Sequence, residues 1–198
     1  MTNRTLVVSI DALITADIPV LRQLPNLGRV MEHASWITDI ECIYPTLTYP
    51  CHATIATGCW PDRTGINNNE IPDFFAKGRM DWYWWREAIQ VPTVVDFARQ
   101  AGLTASTVTW PVMCASGAEY NIGEIWAPRE EDDPTPWFTR ANSPAVAEIF
   151  EANKHMLRWM KTPQMDEFAA KCAADIIRAH RPDLMLLHLS YVCLLYTS

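Results

Sequence analysis

No basic stretch, no CxxC pair and no long apolar run occurs in this sequence, and each absence removes a class of function. Lys and Arg number 16 against 23 Asp and Glu, a formal net charge of −7. That balance lacks the footprint of a chain that tracks a phosphate backbone, so no nucleic-acid polymer is expected as a partner. The longest charge run, Arg129-Glu130-Glu131-Asp132-Asp133, is mostly acidic and reads as a solvated loop. Six cysteines occur, Cys42, Cys51, Cys59, Cys114, Cys172 and Cys193, and their spacings fit no zinc knuckle. No apolar run approaches the ~20 residues of a membrane span. Met1-Thr2-Asn3-Arg4 leads straight into a strand pattern, without the n-region, h-region and cleavage site of a secretory signal. The expectation is a cytoplasmic protein with reduced thiols and no membrane partner. Oligomeric state is left open.

Among what is present, the stretch from Tyr44 to Gly58 (Tyr-Pro-Thr-Leu-Thr-Tyr-Pro-Cys-His-Ala-Thr-Ile-Ala-Thr-Gly) organises the chain. Thr48 stands just before Tyr49-Pro50, and a small-residue, helix-compatible run follows from Cys51 to Thr57. Proline suits a first helical turn, where its missing N–H costs nothing. Thr48 is therefore expected at the mouth of a short helix, where unpaired N–H groups suit an anion such as phosphate. A hydroxyl there can act as a nucleophile if a metal or a base activates it. The same pattern also fits a plain helix cap or turn.

The 198 residues suffice for one domain with a sizeable core. Thr5 to Ile10 is short, apolar and β-branched, and reads as a buried strand. Asp11 follows it. A carboxylate just past the C-terminal end of a central strand sits where open α/β sheets place ligands; a helix or turn cap is the other reading. Asp17 to His33 has helical spacing, split at Pro25. Trp36 to Ile43 reads as a strand leading into the Thr48 turn. Cys59 to Asn69 is a loop rich in Pro, Gly and Asn. From it the Asn69 amide can reach back to donate to a phosphate oxygen, although asparagines in loops often serve turns. The aromatic cluster Trp82-Tyr83-Trp84-Trp85 reads as packing, or as a wall for a substrate ring.

Pro92 to Ala101 reads as a helix stopped by Gly102, and Thr104 to Thr109 as the next strand. The stretch from about 112 to 143 is irregular and reads as an insertion or lid within a single α/β domain. Pro144 to Lys161 looks helical. Thr162-Pro163 opens a second helix, closed by Arg178, His180 and Arg181. Leu184 to Leu189 is a buried strand, with His188 read as a satisfied core histidine. The alternation predicts an α/β fold, a mostly parallel central sheet flanked by helices.

Asp11 after the first strand, then Pro-Thr-Leu-Thr-Tyr-Pro-Cys-His, Ala-Thr-Ile-Ala-Thr-Gly, Pro61-Asp62, Gly65-Ile66 and Asn69, together resemble the nucleotide pyrophosphatase/phosphodiesterase family of the alkaline phosphatase superfamily. The likeness is specific from Leu6 to Asn69 and weaker over Trp82–Gly102 and Pro182–Val192. It implies an alkaline-phosphatase-like fold with two zinc ions at the C-terminal edge of the sheet. It implies Asp11 as a ligand of one zinc, Thr48 as the nucleophile bound to that same metal, and Asn69 as a donor to a non-bridging phosphate oxygen. The implied activity is metal-dependent hydrolysis of phosphodiester or pyrophosphate bonds in small nucleotide-type substrates, through a phosphothreonine intermediate.

The chain also departs from that pattern. The family places a zinc-binding Asp and then a His after the Pro182-Asp183 strand. Counting along the strand, those positions hold Cys193 and Thr197, and the later Asp-His pair and final His do not follow before Ser198. The expectation is an inactive N-terminal portion of a larger catalytic domain, incomplete at its C-terminus and not binding both zinc ions. A phosphonoacetate or phosphomonoester hydrolase of the same superfamily is one alternative. A non-catalytic anion-binding protein is the other.

Overall fold

The computed structural model describes residues 3–72, 81–125, 133–157 and 163–192. The Arg129–Asp132 part of the acidic run, the Thr162 cap, Cys193 and Thr197 lie outside them. In chain order the described helices are α1 (Ile18–Leu21), α2 (Pro25–Met31), α3 (Thr48–Thr57), α4 (Pro61–Thr64), α5 (Val94–Gln100), α6 (Thr135–Ala141), α7 (Ala147–Asn153) and α8 (Gln164–His180). The strands are β1 (Thr5–Ile10), β2 (Ala105–Val108), β3 (Tyr120–Ile122) and β4 (Leu184–Leu189). They form one sheet, ordered β1-β4-β2-β3 and parallel throughout. None of the described helices is long and apolar enough to cross a membrane.

The central strands follow from their sequence. Leu184-Met185-Leu186-Leu187 and Ala105-Ser106-Thr107-Val108 are buried along their length, as strands covered on both faces must be. The expected neighbours at 5–10, 104–109 and 184–189 do pair, with Thr5 opposite Leu184 and Ala105 also opposite Leu184. On α8, Met165, Phe168, Ala169, Cys172 and Ile176 recur at helical spacing and are all buried. Phe168 meets Phe138 and Phe150 edge-on, at 6.1 and 6.2 Å between ring centroids. Pro182 follows α8 and cannot continue it.

Three expectations are corrected. β1 is not a buried strand: Leu6 is 51% and Val8 45% exposed, because β1 is an edge of the described sheet and one of its faces is uncovered. Trp36 to Ile43 is not a strand. Its Ile37 and Ile40 are exposed and no neighbouring strand offers a ladder among the described residues, so β-prone residues alone do not make it one. Within the stretch 112–143, Tyr120–Ile122 is ordered as β3 at the other edge of the sheet, and residues 135–141 are α6. Three residues were too short a run to register as a strand.

α5 is fixed at its start by a reciprocal cap. Asp96 Oδ2 accepts from Thr93 N–H at 2.7 Å, Thr93 Oγ1 at 2.8 Å and Arg86 Nη2 at 2.6 Å. Thr93 is fully buried. Thr93→Ala is expected to lower unfolding stability by about 1 kcal/mol, read as a lower urea midpoint at unchanged m-value.

Candidate active site

Each strand of the sheet delivers a polar group to its C-terminal edge. Asp11 follows β1, and its N–H extends the ladder to Leu189 O at 2.9 Å. Thr109 follows β2, Glu124 lies just past β3, and His188 sits near the end of β4. That edge is where open parallel sheets bind ligands. The chain leaves it through unusual backbone: Ala12, Thr109 and Val112 all have positive φ, at 58°, 49° and 60°. For the β-branched pair this conformation is costly and persists only when surrounding contacts over-determine it. Thr109 has such contacts. Its N–H donates to Ile122 O at 2.8 Å, its Oγ1 to His188 O at 2.7 Å, and its O accepts from His188 Nδ1 at 3.2 Å.

Thr48 is the first residue of α3. Leu47 occupies the N-cap position, and no side chain caps the helix. The Thr48 hydroxyl therefore caps nothing. It donates to Asp11 Oδ2 at 3.2 Å across 37 positions of sequence. Neither Asp11 nor Thr48 plays the cap role that local pattern also allowed. Gly58, at φ 68°, ends α3 in the left-handed conformation. The loop then returns through Gly65 (φ 78°), where an added Cβ would lie 2.5 Å from the Gln90 side chain. This return brings Asn69 to α3: its Oδ1 accepts from Tyr49 N–H at 2.9 Å, which leaves the amide NH₂ to donate elsewhere.

Behind the Asp11–Thr48 pair lies a buried polar cluster that sequence patterns did not bring together. His52, one helical turn after Thr48, has both ring nitrogens committed. Its Nδ1 lies 2.7 Å from Thr48 O, and a carbonyl can only accept, so Nδ1 carries the proton. In the neutral ring, Nε2 then accepts from Ser9 Oγ at 2.9 Å. Burial, followed by the neighbouring His188, pushes His52 down to about 4, so it stays neutral. The two rings meet edge-on, with centroids 4.4 Å apart.

His188 is buried, but it is not the satisfied core histidine expected. Nε2 has no hydrogen-bond partner and lies 3.8 Å from Asp11 Oδ2, while Nδ1 is 3.8 Å from Glu124 Oε1. Burial disfavours the charged ring, yet Asp11, Glu124 and the Thr109 carbonyl outweigh it and raise the His188 pKa. A proton on Nε2 would point at a carboxylate, where a lone pair would face it instead. Asp11 shows the converse. Burial opposes its ionisation, but His188, His52 and the Thr48 hydroxyl hold it below the ordinary value. The spacing of His52 from Thr48 on one helix face was the signal available in sequence. Glu124 had none beyond a lone carboxylate in an apolar run.

Glu124 is buried, and burial pushes it from 4.5 up to about 7. Its folded value is raised, so the folded chain keeps a proton that the unfolded chain releases. That stabilisation is full below about pH 4.5 and is lost as pH rises to about 7. Glu124→Gln should lack this loss. Urea titrations are expected to show the variant gaining about 1–3 kcal/mol on wild type between about pH 5 and 7.5. His52 titrates with the opposite sign in both proteins and drops out of the difference.

The aromatic cluster packs against the same helix start. Trp82 and Trp84 stack at 5.5 Å between centroids, and Tyr49 meets them edge-on at 5.3 and 6.2 Å. It thus fixes the residue next to Thr48. On the other side, Cys51 contacts Cys42, and burial first, then Cys42 and Asp11, push its thiol up to about 12.

Two zinc ions would need ligands that these residues do not supply. Zinc takes four nitrogen, sulfur or oxygen ligands. Among the described residues no three His, Cys, Asp or Glu converge to hold an ion. Asp11 and Thr48 offer two oxygens, and His52 has no free nitrogen. The described residues do not complete a zinc site.

Residues 5–192 match the family model described as type I phosphodiesterase / nucleotide pyrophosphatase. Venom phosphodiesterase 2 of Crotalus adamanteus is 26% identical over 176 residues, covering 84% of this chain and 17% of its own length. Among solved structures, phosphonoacetate hydrolase from Sinorhizobium meliloti 1021 in complex with phosphonoacetate superposes with a TM-score of 0.66 at 18% identity, covering 97% of this chain and 47% of that one. An inactive threonine-to-alanine variant of murine ENPP5, in complex with AMP, gives 0.54 at 17% identity, covering 95% and 43%. The likeness to the solved structures establishes an alkaline-phosphatase-like fold. The chain spans less than half the length of each of these proteins.

Proposed function

Because the chain belongs to the type I phosphodiesterase / nucleotide pyrophosphatase family, we infer that it carries the nucleophile portion of a metal-dependent hydrolase of small phosphodiesters or pyrophosphates. The observation that carries this reading is the 3.2 Å contact from Thr48 Oγ1 to Asp11 Oδ2, made by a hydroxyl that caps no helix. Thr48 Oγ1 attacks phosphorus in line, the leaving oxygen departs with its electron pair, and phosphothreonine remains. Water then attacks the same phosphorus and frees the hydroxyl. Asp11 orients the nucleophile. Held below the ordinary carboxylate value, it is a weak base; a metal held by Asp11 and Thr48 in the complete protein would supply the activation of the hydroxyl.

For the phosphate oxygens, the Thr48 N–H and the Asn69 amide NH₂ are the donors proposed. Tyr49 N–H is already bound by Asn69 Oδ1, and Pro50 has none. Two zinc ions are proposed for the complete protein, with ligands from beyond the described residues. The 198-residue chain alone is proposed to be inactive. AMP, held by the ENPP5 variant, suggests nucleotide esters as first substrates.

The test is a single turnover of a zinc-loaded protein in which this chain is extended to the length of its relatives, with a phosphodiester labelled at phosphorus. Label is expected on the peptide containing Thr48. Label on any other residue, or product formed without label on protein, overturns the mechanism. Parallel rates with phosphonoacetate and a phosphomonoester separate the two related chemistries.

A further inference from the structure

Cys42 and Cys51 lie with their sulfurs 3.5 Å apart, and no part of the reaction above uses them. Cys51 is held in the first turns of α3. Cys42 is exposed, on the segment that forms no strand. Among the described residues, and besides the Cys42–Cys51 contact, hydrogen bonds tie residues 37–43 at two points: Thr15 Oγ1 to Thr38 O at 3.3 Å, and Thr46 Oγ1 to Ile43 O at 2.8 Å. A disulfide needs its sulfurs at about 2.05 Å, so closing this pair needs an approach of about 1.5 Å. The exposed, lightly tied segment can supply that; the helix need not move.

Competing partners are poorly placed. Cys114 and Cys172 are buried in the core. Cys59 lies past the far end of α3, whose last residue Thr57 is already about 9 Å along the helix axis from Cys51 at 1.5 Å per residue.

We propose that Cys42 and Cys51 are a dithiol site that takes a low-molecular-weight disulfide of the glutathione class and closes to an intramolecular disulfide. The exposed Cys42 reacts first. Its thiolate attacks one sulfur of the reagent, a mixed disulfide forms, and one glutathione thiolate leaves and takes up a proton. Cys51 then attacks the Cys42 sulfur, its thiol proton passing to solvent, and expels the second glutathione as a thiolate, which takes up a proton. Two protein S–H groups become one S–S bond, and one reagent disulfide becomes two thiols. The second step is intramolecular, with a tethered thiol already in contact, so it outpaces a second addition from solution. The closed bridge ties the segment entering Thr48 to the helix that carries it.

The probe is oxidised glutathione added to the reduced, dilute 198-residue chain, followed by non-reducing mass spectrometry and peptide mapping. Expected are a loss of about 2 Da and a linked peptide pair containing Cys42 and Cys51. Cys51→Ser should instead accumulate a glutathione adduct at Cys42, at least about tenfold more than wild type retains. Cys42→Ser should form no bridge to Cys51. Both substitutions are small and lie outside the core, and unchanged circular dichroism confirms folding. A stable adduct at Cys42 in wild type, a bridge from either cysteine to Cys59, Cys193 or a second chain, or unreacted thiols at both positions each overturns the proposal.

Discussion

Thr48→Ala, placed in the zinc-loaded, length-completed protein, is expected to lower phosphodiester turnover by more than about 10⁴-fold, the scale seen when a nucleophile is removed. No neighbouring hydroxyl can take over. Ser9 Oγ is bound to His52 Nε2, and Thr46 Oγ1 is turned to Ile43 O at 2.8 Å. Cys51, with its thiol pushed up to about 12, holds little thiolate. Substrate affinity should change little, because Asn69 and the Thr48 N–H survive the substitution. The loss then falls on kcat and not on KM. Thr48→Ser keeps the hydroxyl but loses the methyl that restricts its rotamer, so partial activity is expected. Initial rates with each variant, alongside covalent trapping, make the check. Full activity in Thr48→Ala would remove Thr48 from the mechanism.

The second large effect concerns stability. Trp110 is 1% exposed, meets His52 edge-on at 5.0 Å between centroids, and donates from Nε1 to His52 O at 3.3 Å. Trp110→Ala removes a whole buried ring and leaves the back of α3 without support. A loss of about 3–5 kcal/mol is expected, a large share of the 5–15 kcal/mol typical of a domain. Urea unfolding measures it. Trp110→Phe keeps most of the volume but loses the N–H, and should cost markedly less. Equal losses for the two variants would assign the effect to the hydrogen bond instead of the packing.

The scaffold was legible where short-range physics decides it. A β-branched apolar run announced β1 and a Leu-rich one β4, Gly102 ended α5, and Pro50 with Gly58 bracketed α3. The order of strands was not readable, since β1 and β2 both pair with β4, far along the chain. The β-prone residues Ile37 and Ile40 find no partner edge. Asp11, Thr48 and Asn69 were singled out from local pattern and given their zinc and phosphate roles by resemblance, and the structure brings Asp11 to Thr48 and Asn69 to Tyr49. Their catalytic roles stand as proposals. The supporting cluster of Ser9, His52, Glu124 and His188 was hidden because its members lie on separate elements, each among apolar neighbours. Polar residues scattered in this way announce themselves only once the sheet gathers their strand ends.

The open edge of β1 carries a record of its own. Thr5 N–H donates to Asp183 O at 2.8 Å and Asp11 N–H to Leu189 O at 2.9 Å, so the odd-numbered amides of this strand face β4. Those of Leu6, Val8 and Ile10 face outward. Hydrogen–deuterium exchange should therefore alternate along the strand, fast at the even positions and slow at Val7 and Ser9. A uniformly protected β1 in the isolated chain would contradict the edge position. The alternation is also a reporter. Whatever strand comes to lie against this edge must take up those three amides, so their slowing would register its arrival beside Asp11 before any activity is measured.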